Sequence, residues 1–277
     1  MKDEHHELPQ DSYTDMTYAE ADGILDDLAY YRTLMVNVGF IGKPGAKEWV
    51  LIDCGINHYS ARIIEAAEKR YGRVPPQAII LTHGHFDHVG SAKKLAQHYD
   101  VPIYAHPMEM DYLTGKRAYP VGNSTVGGGL LAILSPFFPT EPVNLKKWVH
   151  PLPEDGTVPF LKEWRVIHTP GHTPGHISLF RDRDKTLITG DAFITVKQES
   201  SMAVFIQHQH VHGPPAYFTP NWQEAERSVK KLADLNPVTA LTGHGLPMDG
   251  EVLQKQLNHL ALNFKELAIP KHQKKLH

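Results

Sequence analysis

Cysteine is almost missing from this chain. The single thiol, Cys54, excludes an internal disulfide framework. Its place in the apolar run Trp49-Val-Leu-Ile-Asp-Cys54 reads as a small buried residue rather than a nucleophile. Long apolar runs are missing too: none reaches the roughly 20 residues that a membrane helix needs. The opening Met-Lys-Asp-Glu-His-His-Glu lacks the apolar centre of a secretory signal, so cytoplasm is the expected location. A formal net charge of −3 supplies no broad basic field, which argues against a nucleic-acid partner. There is no true linker, low-complexity tract or short repeat. What is present is 277 residues, 41% of them apolar, enough for one large domain or two small ones with a substantial core.

Histidine is plentiful, at 19 residues, and its placement is uneven. His83, His85, Asp87 and His88 crowd into the run Thr82-His-Gly-His-Phe-Asp-His88. Packing alone has no use for three imidazoles and a carboxylate at that spacing. Imidazole nitrogen and carboxylate oxygen are the usual ligands of zinc and related first-row metals. The run follows Ala78-Ile-Ile-Leu81, a short apolar stretch that reads as a buried strand. Open α/β sheets place their sites just beyond such strand ends. Three more candidates follow apolar stretches of the same kind: His172 in Thr169-Pro-Gly-His172, Asp191 in Leu187-Ile-Thr-Gly-Asp191, and His244 in Leu241-Thr-Gly-His244. A glycine beside each lets the backbone turn sharply and approach closely. Four strand ends can thus deliver seven ligands to one place.

The His-x-His-x-Asp-His run, followed in order by His172, Asp191 and His244, resembles the metallo-β-lactamase superfamily over most of the chain. The resemblance implies an αβ/βα sandwich of four layers, two mixed β-sheets with helices outside, and a metal site at one edge. It implies that His83, His85 and His172 hold one metal, that Asp87, His88 and His244 hold a second, and that Asp191 bridges both. Asp53 matches the family's early, mainly structural aspartate. The spacing is consistent with these roles. His83 and His85, at i and i+2 on extended backbone, project alike, whereas Asp87 and His88 follow a further bend. Neither centre is closed by protein ligands, the mark of catalytic rather than structural sites. Zinc is the expected metal, as two divalent ions, with iron, manganese and cobalt suited to the same donors. The expected reaction is attack by hydroxide on a carbonyl carbon, with Asp87 orienting or shuttling the proton. Of the remaining histidines, His168 and His176 are candidates to orient ligands. His208, His210 and His212 read as a loop near the pocket mouth.

Strand patterns cover 31–41, 47–54, 101–105, 164–168, 177–181, 186–190 and 238–242, and helical patterns cover 60–71, 91–99, 221–235 and 250–267. Asn221 is a plausible N-cap. A polar turn at Arg181-Asp-Arg-Asp184 puts one hairpin into an otherwise alternating α/β order. The whole chain, 1–277, is expected to be one domain with an insertion at about 112–151 and a C-terminal helix at about 250–267. The insertion contains Leu130-Leu-Ala-Ile-Leu134, which would wall the site or pack elsewhere, on the body or in a homodimer. Past Asp191, Phe193, Met202, Val204, Phe205, Ile206, Tyr217 and Phe218 are apolar candidates for pocket or core, with Phe193, Phe205 and Tyr217 the first candidates for substrate contact.

An apolar rim favours a small neutral or acyl-bearing substrate, so an ester, thioester or lactone is the expected target. The glyoxalase II and lactone-hydrolase branches look nearest, although no basic glutathione-binding pair stands out beside Lys255 and Lys265. The bridging Asp191 argues against a β-lactamase. Two other readings stay open: an iron-dependent persulfide dioxygenase of the same fold, which usually works with one metal, and a non-catalytic metal-binding module.

Overall fold

The computed structural model describes residues 19–126, 130–140, 143–196, 209–271 and 273–274. Two sheets dominate it. The first runs in chain order through β1 (Asp22–Leu25), β2 (Leu28–Thr33), β3 (Val36–Ile41), β4 (Val50–Ile52), β5 (Ala78–Ile80), β6 (Ile103–Ala105) and β7 (Val149–Pro151). Its first four strands pair antiparallel, and β4 to β7 pair parallel. The second sheet contains β8 (Trp164–His168), β9 (Ile177–Arg181), β10 (Thr186–Gly190), β11 (Thr239–Thr242) and β12 (Met248–Asp249), in the order β12-β11-β10-β9-β8. It too is mixed, because β10 and β11 are parallel while the other pairs are antiparallel.

Successive strand residues point to opposite faces, and the buried residues divide accordingly. Val50 and Ile52 of β4, Ala78 and Ile80 of β5, Ile188 of β10 and Leu241 of β11 meet in a core between the sheets. Their neighbours Leu51 and Ile79 face outward, onto Ile63, Ala67, Leu95 and Ala96 of the helices Ser60–Tyr71 and Ala92–Tyr99. Leu187 and Ala240 face outward on the other side, toward Ala225, Val229, Leu253 and Leu257 of the helices Trp222–Asp234 and Gly250–Leu262. The result is the four-layer α/β architecture, helices outside two mixed sheets. Among the described residues no helix is long and apolar enough to cross a membrane.

Local expectations fare unevenly. Asn221 does cap its helix, its side chain accepting from the Glu224 amide at 3.1 Å. The polar turn after Arg181 does close a hairpin, with Arg181 opposite Thr186. The expected strand 31–41 is instead two strands, β2 and β3, folded at Leu34 and Met35, where Leu34 takes a φ of +65°. The expected helix 250–267 breaks at Asn263, leaving the short turn Phe264–Leu267. Strands β1 and β7 carry no clear pattern in the sequence, and β7 lies inside the stretch read as an insertion.

Candidate metal centre

The site sits where neighbouring strands of both sheets end. Strands β4 and β5 are parallel, as are β10 and β11, so the segments leaving them emerge on one side. Asp53 follows β4. Thr82, His83 and His85 follow β5, with His85 still extended (φ −65°, ψ 150°). A helical turn then starts at Phe86 and carries Asp87 and His88, which is the bend that lets them face a different centre. The loop between β8 and β9 brings His172, and the ends of β10 and β11 bring Asp191 and His244. Gly243 shows why the packing is so close. A Cβ there would strike Asp191 Oδ1, and it would lie 2.9 Å from the His88 ring.

All seven candidates converge in three overlapping groups: His83, His85 and His172; His83, His88 and Asp191; and Asp87, His88 and His244. Within each group the nearest ligand atoms lie within 4.8 Å of one another. His85 Nδ1 approaches His172 Nε2 to 2.9 Å. Asp191 stands in the middle, its Oδ2 3.4 Å from His172 Nε2 and 3.2 Å from His244 Nε2, and its Oδ1 3.5 Å from His88 Nε2. Asp87 Oδ2 lies 3.4 Å from His244 Nε2. Three of the converging atoms, His83 Nε2, His88 Nε2 and Asp191 Oδ1, are buried without a hydrogen-bond partner. Orphaned buried polar atoms are costly, and three facing one point fit a cation well.

The opposite side of four of these rings is fixed by a second partner. His83 Nδ1 meets Thr82 Oγ1 at 3.1 Å, His172 Nδ1 meets Thr219 Oγ1 at 3.2 Å, and His244 Nδ1 meets the Met35 carbonyl at 2.8 Å. His88 Nδ1 meets Asp53 Oδ2 at 2.8 Å. Asp53 also accepts from the Thr82 amide and hydroxyl, at 2.8 and 2.7 Å, so one carboxylate orients two neighbouring segments. His176 Nε2 accepts from the Asp191 backbone amide at 2.8 Å, which makes it a support for Asp191. His168 instead bonds the Pro174 carbonyl and stacks on His106. Such outer contacts set ring tautomer and ligand basicity. Replacing Asp53 by Asn should therefore lower affinity for a divalent ion at His88 by about 10–100-fold, with the fold kept. Competition against a chromophoric chelator measures this, and an unaltered affinity would remove the orienting role.

Protein charges divide the cluster. Burial holds His83 and His172 well below the usual imidazole range, with the adjacent imidazoles adding to the effect. Burial lowers His85 to about 3 and His176 to about 3. Burial also opposes charge on His88 and His244, but the carboxylates of Asp191 and Asp87 overcome it, together with Asp53 at His88, and both imidazoles are raised. Burial pushes Asp191 up, yet His244 and His88 outweigh it and hold the carboxyl well below its usual range. Asp87 is raised by burial, against the pull of His88 and His244. One half therefore offers neutral nitrogen donors. The other must lose protons before it can bind a cation.

Sequence reading missed Glu109. It is fully buried, and its Oε2 accepts from the Gly84 amide at 3.0 Å while its Oε1 accepts from the Gly175 amide at 2.7 Å and from Thr173 Oγ1 at 2.8 Å. Tyr119 donates its hydroxyl to the same carboxylate. One side chain thus ties the His83–His85 segment to the loop of His172. Beside these loops opens a cavity of about 470 Å³, with His85, His172, Tyr119, Tyr217, Phe218 and Arg117 in its walls. Tyr217 is among the residues that line it. Phe193 is not: it is fully buried in the outer core and does not line the cavity. Phe205, with Met202, Val204, Ile206 and His208, lies outside the described residues. His210 and His212 stand beside each other and join none of the ligand groups, His212 pairing with Ile194 through its backbone.

Residues 31–244 match the protein family described as "Metallo-beta-lactamase superfamily". The chain is 50% identical over 229 residues to "Probable metallo-hydrolase YflN" of Bacillus subtilis (strain 168), covering 82% of this chain and 87% of that protein. Two solved structures share the fold. TTHA1623 in a di-iron-bound form gives a TM-score of 0.52 at 24% identity, over 83% of this chain and 94% of that one. BLEG-1 B3 metallo-beta-lactamase gives 0.56 at 22%, over 81% and 92%. The match to the family runs through every strand end that carries a ligand candidate, from His83 to His244, and this chain belongs to the metallo-β-lactamase superfamily.

Proposed function

We propose that the protein is a dinuclear metal-dependent hydrolase that cleaves an ester, thioester or lactone bond of a small molecule. The observation that carries this reading is the convergence of three orphaned buried atoms, on His83, His88 and Asp191, within the three overlapping ligand groups. In this reading His83, His85 and His172 hold one divalent ion, Asp87, His88 and His244 hold the other, and Asp191 serves both. Bound there, such ions lower the pKa of water and polarise a carbonyl oxygen.

The chain's own groups do the rest. Asp87 is the acidic ligand candidate nearest solvent, with 11% of its side chain exposed against 3% for Asp191. It accepts the proton of the attacking water and returns it to the leaving oxygen or sulfur as the carbonyl–heteroatom bond breaks. The aromatic walls of the cavity, from Tyr119, Tyr217 and Phe218, hold the acyl portion and exclude bulk water from the bond being cut. The resemblance to a protein named as a metallo-hydrolase supports hydrolysis, and one structural neighbour was solved in a di-iron-bound form, a reason to assay iron as well as zinc.

The test joins elemental analysis to turnover of ester, thioester and lactone panels on the same sample. About two ions per chain with activity that falls on chelation is the expected result. A fully loaded protein inert on every panel would overturn the reading. Asp87→Asn should cost about 10²–10⁴-fold in turnover, and unchanged turnover at full metal content would remove the proton role.

A further inference from the structure

Among the described residues, the cavity beside the ligand cluster is lined by one formally charged side chain other than its histidines, Arg117, and by no Asp or Glu. The Arg117 guanidinium lies 5.3 Å from the centre of the Tyr112 ring, and among the described residues no carboxylate pairs with it. The adjacent acid, Asp111, pairs instead with Lys116 at 3.4 Å. An aromatic ladder connects this cation to the ligands. Tyr112 stacks on Tyr119 with ring centres 4.0 Å apart, and Tyr119 meets the His85 ring at 4.6 Å.

The two side-chain amides of the same wall are biased the same way. Asn123 Oδ1 already accepts from the Thr125 amide at 2.9 Å, and Gln273 Oε1 accepts from Trp222 Nε1 at 2.6 Å. Each amide is left with its NH₂ to offer. Thr219 spends its hydroxyl proton on the Pro215 carbonyl, and Tyr119 gives its own to Glu109. A cation and two free amide donors, spaced along an aromatic wall, complement a carboxylate, whose oxygens only accept.

We propose that Arg117 anchors a carboxylate at the end of the substrate remote from the bond that is cut. The substrate class is then an acyl compound with a negatively charged tail, such as the half-ester or half-thioester of a dicarboxylic acid. The apolar spacer lies along Tyr119, Tyr217 and Phe218. This inference rests on the hydrolase reading for the bond cleaved, but not for the anion bound.

The experiment uses the full, metal-loaded chain and compares neutral phenyl butyrate with the monophenyl esters of succinate, glutarate and adipate. In the wild type the best charged ester should exceed the neutral one in kcat/KM. Arg117→Met should reduce that charged-to-neutral ratio at least threefold, mainly through KM, and Arg117→Lys should restore part of it. A ratio that changes less than threefold would overturn the proposal while leaving the hydrolase reading intact. If none of these esters is turned over, the hydrolase reading is judged by the thioester and lactone panels instead. Calorimetric binding of glutarate relative to butyrate, in wild type and Arg117→Met, then decides the anion site by the same threefold criterion.

Discussion

Asp191→Ala is expected to lose at least one bound ion and to reduce turnover by at least about 10²–10³-fold, the scale on which removal of one preorganised electrostatic group acts, while the chain still folds. Asp191 is the one carboxylate within 3.5 Å of His88, His172 and His244 together. Its loss strips both halves of the cluster of the charge they share, and it leaves His88 and His244 with fewer of the carboxylates that raise them. Breaking a buried charge pair costs about 3–5 kcal/mol, within the total stability of about 5–15 kcal/mol typical of folded domains. The core between the sheets and the two cores that join sheets to helices are built from other residues. Asp191→Asn, with the same shape and no charge, separates loss of ligation from loss of volume. Metal content, turnover and thermal unfolding on the same sample give the answer, and full metal content in both variants would end the bridging role.

The ligand candidates were legible because each is announced locally. A glycine precedes His172, Asp191 and His244, and each stands just after an apolar stretch. The layers were legible for a similar reason, since runs such as Val50–Ile52 and Ala78–Ile80 are apolar on both faces and imply cover on both sides. The hairpin between β2 and β3 was hidden because its turn, Thr33-Leu-Met-Val36, carries neither glycine nor proline, and only the left-handed Leu34 betrays it in space. Phe193 looked like a pocket residue because it lies two positions past Asp191. That short step turns the chain inward, and Phe193 joins the core against the helices of the second sheet. Distance along the chain could not have told the two apart. Arg117 was passed over because one exposed arginine in a breaker-rich stretch has no pattern. Its meaning comes from the cavity it borders.

Glu109 gives the second large effect, and it is the feature least visible in sequence. Its partners are 25 residues away at Gly84, 64 at Thr173 and 66 at Gly175, so no window of sequence contains the contact. Burial raises its carboxyl, while the donors of Tyr119, Thr173, Gly175 and Gly84 pull it down. Two of these donors are backbone amides that cannot turn away. Removing the acceptor leaves them buried and unpaired, at about 1–3 kcal/mol each. Glu109→Ala should therefore cost several kcal/mol, with unfolding in some conditions an acceptable outcome. Glu109→Gln is the sharper variant, because it keeps the size and one carbonyl acceptor but presents an NH₂ to one of the two loops. It should fold, unfold at lower denaturant, and bind the ion held by His83, His85 and His172 about 10–100-fold more weakly, because Gly84 lies between two of those ligands and Thr173 follows the third. The ion assigned to Asp87, His88 and His244 should be affected less, since His88 hangs on Asp53 and His244 on the Met35 carbonyl instead. Stepwise metal titration of the two variants separates the losses. Equal weakening of both ions, or wild-type affinity for both, would show that the Glu109 carboxylate does not hold the two histidine loops in register.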